Sequence, residues 1–113
     1  MRTATGAISV GDIFASNGDF YQVVKTTAET VTVRPIESRF VGYADEQRRE
    51  RAYIPVRDRF TLSPFFTDAQ NERGKRCVPK NWSAREFRPQ IDVGCYWPAH
   101  LWDGEPSICD TYN

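Results

Sequence analysis

Asn17-Gly18 is the tightest constraint in the chain. The dipeptide lies between two apolar stretches, Ile13-Phe14 and residues 20–25, and Asn-Gly supplies the positive φ values that a two-residue hairpin turn demands. On the return strand Phe20, Gln22 and Val24 fall on one face and Tyr21 and Val23 on the other. Both faces are largely apolar, which places the strand centrally or in a small barrel. A polar break, Thr26-Thr27-Ala28-Glu29, leads to Thr30-Val31-Thr32-Val33-Arg34, whose strict alternation predicts a half-buried strand. Pro35 is expected to end that ladder or to mark an edge bulge. Three antiparallel strands with short turns make a meander, the opening of many SH3-like and related small barrels.

A chain of 113 residues suits one domain with its own core, unaided by disulfide or metal. Beyond the meander, residues 37–51 carry Arg39, Asp45, Glu46, Arg48, Arg49, Glu50 and Arg51 and too few apolar residues to define a buried face. Residues 39–51 are therefore expected to be a charged loop or a short helical turn. Ala52-Tyr53-Ile54-Pro55-Val56 returns to strand composition, with Pro55 favouring an edge. Ser63-Pro64 and residues 67–74 are turn chemistry, and Lys75-Arg76-Cys77-Val78 reads as a short strand. Residues 79–90 read as irregular, with Ser83-Ala84-Arg85-Glu86 able to cap one helical turn. Residues 91–97 and 100–102 run into Asp103-Gly104-Glu105-Pro106 and residues 107–112 leave it, which predicts a closing hairpin. The expected fold is a single all-β domain over residues 1–113, an antiparallel SH3-like barrel of about six or seven strands with a charged central insertion.

With 40% hydrophobic residues the chain is too apolar for disorder, and its mean hydropathy of −0.58 is too polar for a membrane span. The first ten residues hold no apolar run that suits a secretory leader, so a cytoplasmic protein is expected. Cys77, Cys95 and Cys109, odd in number and widely spaced, fit reduced thiols.

Chemistry finds little purchase. His100 is the single histidine, and Asp103, three residues on, falls on the opposite face of a strand. The three cysteines and His100 lack the paired short spacings of a zinc site. Asp58 sits between Arg57 and Arg59, which would hold it ionised, and the glycines show no phosphate-loop spacing. The sequence points to no enzyme, cofactor or metal.

Charge is more informative along the chain than in total. Fifteen basic and fifteen acidic residues cancel, yet residues 34–88 hold 13 basic and 8 acidic residues, while the flanks hold 2 and 7. Twelve of the basic residues are Arg, suited to bidentate contact with phosphate or carboxylate and to stacking on aromatic rings. Arg57, Arg59, Arg73, Lys75, Arg76, Lys80, Arg85 and Arg88 interleave with Phe60, Phe65, Phe66, Trp82 and Phe87, a combination that single-strand binders use. A second candidate surface is the C-terminal cluster Tyr96, Trp97, Trp102 and Tyr112 beside Asp92, Asp103, Glu105 and Asp110, aromatic anchors rimmed by acids. The same aromatic residues are also what a core would use.

Gly11-Asp12-Ile13-Phe14, Asp19-Phe20-Tyr21-Gln22-Val23-Val24 and Thr30-Val31-Thr32-Val33-Arg34-Pro35-Ile36 together resemble the opening of a family of small phage- and plasmid-borne proteins. His100-Leu101-Trp102-Asp103-Gly104-Glu105-Pro106, with Tyr112, resembles that family's closing hairpin. Members often carry a longer loop with Trp and Tyr where this chain has only Ala15 to Asp19, and residues 39–90 show no match. The resemblance implies genetic context and fold rather than chemistry. From it follows the expectation of a mobile-element accessory protein that binds and occludes a host protein or ribonucleoprotein complex, such as an anti-CRISPR inhibitor. A nucleic-acid-binding module and a virion or assembly component are the alternatives.

Overall fold

At the Asn17-Gly18 turn φ is 48° and 89°, left-handed at both residues, and Ser16 closes against Asp19. The hairpin so formed joins β2 (Ile13–Ser16) to β3 (Asp19–Thr26) in a computed structural model that describes residues 2–3, 7–81, 88–95 and 97–110. The polar break turns as its composition requires, with Thr27 N–H bonded to Thr30 O at 2.9 Å, and delivers the chain to β4 (Val31–Tyr43). Pro35 does not end this strand. It pairs across from Tyr21, and its carbonyl accepts Thr61 N–H at 2.9 Å. A strand residue turns its N–H and C=O to the same side, so the missing donor faces an irregular stretch of the next strand rather than the ladder with β3.

The remaining strands are β5 (Glu50–Phe60), β6 (Lys75–Cys77), β7 (Lys80–Asn81), β8 (Pro89–Ile91), β9 (Ala99–Leu101) and β10 (Ser107–Asp110), with β1 (Arg2–Thr3) at the other end of the chain. All ten join one antiparallel sheet in the order β1-β7-β8-β9-β2-β3-β4-β5-β10, with β6 branching from β4. The all-β class stands, but three expectations change. Among the described residues there are ten strands rather than six or seven, and the ladder runs open from β1 to β10 instead of closing into an SH3-like barrel. The charged stretch 39–51 is no loop or helical turn: it is the outer half of a long hairpin in which β4 and β5 pair from Ile36 to Tyr43, and only residues 44–49 turn. The Asp-Gly segment does not close a hairpin, because β9 pairs with β2 and β8 while β10 crosses to pair with β5. Residues 79–90 are also partly regular, since β7 and β8 pair there; the expected turn at 83–86 lies outside the described residues.

Residues 67–74, read as turn, hold the six-residue helix α1 (Asp68–Arg73). Thr67 and Gln70 form a reciprocal capping box, the Thr-x-x-Gln signature of a helix start. Buried Asn71 bonds both backbone groups of Ser63, at 2.7 and 3.2 Å, and so ties the helix to the segment that carries Phe66.

Alternation puts apolar side chains on both faces of the central strands. Phe14, Tyr21, Val23, Val31 and Val33 share one core with Cys77, Ile91, Val93 and Ala99, and Phe66 caps it by stacking on Tyr21 at 5.7 Å. Ile13, Phe20 and Ile36 face the other way and pack with Tyr53 and Trp102. The first core draws on β6 and β8, the strands farthest apart along that part of the ladder. The sheet therefore curls around it, yet no ladder joins β6 to β8 among the described residues.

Candidate binding surfaces

The basic residues singled out in the sequence do not form one surface. Arg57 and Arg59 flank Asp58 on a bulge of β5, where the four residues between Pro55 and Phe60 oppose the single residue between Ser38 and Ile36. Asp58, at φ 64°, is clamped by buried Gln22: the amide donates to Asp58 Oδ1 and accepts from Asp58 N–H, both at 2.8 Å. The arginines turn away from it, Arg57 to the carbonyl of Gly11 and Arg59 to Glu37 at 3.1 Å. Arg73 is exposed at the end of α1. Arg88 follows β7, its backbone N–H bonded to Asn81 Oδ1 at 2.6 Å, and Trp82 and Arg85 lie outside the described residues. Two of the interleaved aromatics serve the chain itself: Arg34 covers Phe60 at 4.1 Å, and Lys75 lies 5.6 Å from the ring of buried Phe66; Phe65 is half-exposed, and Phe87 lies outside the described residues.

Lys75, Arg76 and Lys80 do converge. They line a cleft of about 600 Å³ between β6 and β8, with Val78, Ile91 and Pro98 as apolar wall and Asp92 as its one acid among the described residues. At its inner end Cys77 Sγ lies 3.6 Å from Lys75 O and 3.5 Å from Asp92 O. Burial pushes the Cys77 thiol up to about 11 despite the opposing pull of Lys75, so it sits there as a thiol and a weak donor rather than a nucleophile.

Trp97 and Trp102 share a second groove, of about 530 Å³, with His100, Asp103 and Glu105. Trp97 is two-thirds exposed, its carbonyl held by the Cys95 thiol at 3.1 Å and the Ser16 hydroxyl at 3.4 Å. Trp102 is half-buried, edge-on to Phe20 at 6.2 Å, with its indole N–H donated to Glu105 O at 2.7 Å. Among the described residues only Trp97 is thus a free aromatic anchor in the groove. Asp103 accepts Glu105 N–H at 2.9 Å, a turn role rather than a partnership with His100. Tyr96 and Tyr112 lie outside the described residues. Pro98 lines both groove and cleft, so an acidic and a basic surface adjoin.

Sequence reasoning missed an exposed aromatic cluster on the outer half of the β4–β5 hairpin. Residues three apart on a strand normally face opposite ways, but a bulge between Phe40 and Gly42, with Gly42 at φ 141°, shifts the register. Tyr43 therefore turns onto the face of Phe40, ring to ring at 5.1 Å, and Tyr53 directly across from Phe40 completes the cluster at 5.9 Å. Phe40 and Tyr43 are 47% and 44% exposed. Arg48 lies over Tyr43 at 5.7 Å, and the Tyr53 hydroxyl beside Arg51 raises the guanidinium above its usual value. At the tip the Asp45 carboxylate accepts the N–H groups of Glu50 and Arg49 at 3.0 and 2.8 Å, and these bonds, that of Glu50 foremost, lower its pKa. The signal was present as Phe40-Val41-Gly42-Tyr43 opposite Tyr53, hidden by the charges around it.

Among the described residues no group of three or more His, Cys, Asp or Glu side chains is placed to hold a metal, and no helix is long and apolar enough to cross a membrane. No protein-family model, curated protein or solved structure matches the chain.

Proposed function

We propose that the protein is a non-enzymatic binding protein of a mobile element, which docks on a host protein or ribonucleoprotein complex and occludes it, as an anti-CRISPR type of inhibitor does. The observation that carries this reading is the pair of exposed rings Phe40 and Tyr43 on the hairpin arm, seated on half-buried Tyr53 and flanked by Arg48 and Arg51. Aromatic rings beside arginines are the composition of interface hot spots, and exposed rings gathered on one face mark a contact site. The resemblance of residues 11–36 and 100–106 to mobile-element proteins supports the setting, and the adjoining basic cleft and acidic groove suit a partner of mixed charge.

The test is capture from a lysate of the bacterium that hosts the element. The intact protein should retain one complex in fixed stoichiometry, and the double variant Phe40→Ala, Tyr43→Ala should retain none while unfolding within about 1 kcal/mol of the parent, because neither ring belongs to a core. Equal capture by both proteins would refute the reading. The convergence of Lys75, Arg76 and Lys80 favours a second reading, nucleic-acid binding, whose signature is affinity for free oligonucleotides that falls steeply with salt.

A further inference from the structure

We propose that the cleft between β6 and β8 receives an acidic, extended segment of the partner protein, which adds to the open edge of β6 as an extra strand. This rests on the reading of the chain as a protein binder and specifies what one of its surfaces holds. Three observations converge on it. First, β6 pairs with β4 alone, and the pairing of β8 with β7 stops at Gln90, so backbone groups line the cleft without a ladder across it among the described residues. An unpaired strand edge is a template for β-augmentation. The Cys77 thiol lies within reach of both Lys75 O and Asp92 O, so the contact there between β6 and the residue after β8 is made by a side chain.

Second, the charge is one-sided. Among the described residues Lys75, Arg76 and Lys80 face a single acid, Asp92, and Arg76 and Lys80 are exposed. Carboxylates on alternate residues of an added strand would meet them, and charge complementarity of this kind sets specificity and register. Third, the wall between the cations is apolar: Val78 is 48% exposed, and Ile91 and Pro98 continue the surface. A strand presents side chains alternately to its two sides, so acids and small apolar residues in alternation suit the cleft. Among the described residues no aromatic ring lines it, whereas sequence-tolerant binding of single-stranded nucleic acid relies on base stacking.

The experiment uses the full chain and a fluorescein-labelled octapeptide of alternating Glu and Val, followed by anisotropy. Saturable binding is expected, weakened at least about tenfold by Arg76→Glu or Lys80→Glu, with unchanged far-ultraviolet dichroism confirming that the variants fold. A Lys-Val octapeptide should not bind, and N-methylation of alternate peptide nitrogens should abolish binding by removing the ladder. No saturation at millimolar peptide, equal binding of the Lys-Val or N-methylated peptide, or tighter binding of oligothymidylate would each overturn the proposal. Partner capture that depends on Phe40 and Tyr43 but survives both charge reversals would remove the cleft and leave the binding function standing.

Discussion

Gly74 couples the helix to the strand that carries the basic cleft, and replacing it by alanine tests how rigidly. Its φ and ψ are 106° and 158°, a region that only glycine occupies at low cost, and its N–H bonds Gln70 O at 2.7 Å to finish α1. A Cβ at this position would lie 2.4 Å from Thr32 Cγ2 and 3.2 Å from Val33 O. Gly74→Ala therefore carries two penalties: backbone strain of about 1–3 kcal/mol, and overpacking against β4 of about 1–3 kcal/mol. Thr32→Ser removes the obstructing methyl and by itself costs about 1 kcal/mol. In the Thr32→Ser background the alanine should cost little more than the strain, so the two substitutions should couple by about 1–3 kcal/mol. Urea unfolding of the four proteins, followed by tryptophan fluorescence, measures the cycle. Equal cost of Gly74→Ala in both backgrounds would refute the steric part. A cost below about 1 kcal/mol would refute both, and would mean that the junction relaxes freely. Because Lys75, the next residue, pairs with Val33, an intact junction is also what fixes the cleft's first cation.

Stability at alkaline pH should depend on Cys77. Its folded pKa is raised to about 11 from an ordinary 9.0, so the unfolded chain releases the proton first, and the thiol's contribution, complete below pH 9, is lost as pH rises to 11. Under reducing conditions the difference in unfolding free energy between the parent and Cys77→Val should shift by about 2–3 kcal/mol across that window, and a pH-independent difference would count against it. Phe14, fully buried where β2 meets β3, should cost about 3–5 kcal/mol as alanine in chemical denaturation, and a loss under about 1 kcal/mol would contradict its place in the first core.

The meander was legible because its determinants are local. Asn17-Gly18 fixes a turn through backbone sterics, and the alternation from Thr30 to Arg34 fixes a half-buried strand, whatever the rest of the chain does. The closing hairpin failed because pairing is not local. Asp103-Gly104 offers turn chemistry, but the strands beside it find better partners far away: β9 completes the edge of β2, while β10 reaches the β2–β3 turn, where Ser107 Oγ accepts Gly18 N–H at 3.1 Å. A Cβ on Gly18 would lie 3.1 Å from Cys109 Cβ, so the glycine read as a turn former also lets the last strand pack close. Nothing in the sequence around Gly18 announces that second duty.

The candidate site was harder to read for a different physical reason. Residue type names the cations, but strand geometry decides which of them share a surface. Lys75, Arg76 and Lys80 meet because β6 and β7 are joined by only Val78 and Pro79, whereas the Asp58 clamp turns Arg57 and Arg59 to other partners. On the arm the parity of two would have parted Phe40 from Tyr43, and one bulge at Gly42 reunites them. A charged stretch with few apolar residues looks like a loop when those residues are counted against a buried face. It looks like an interface once a register shift gathers the same few onto one exposed face, and no count of residue types distinguishes the two.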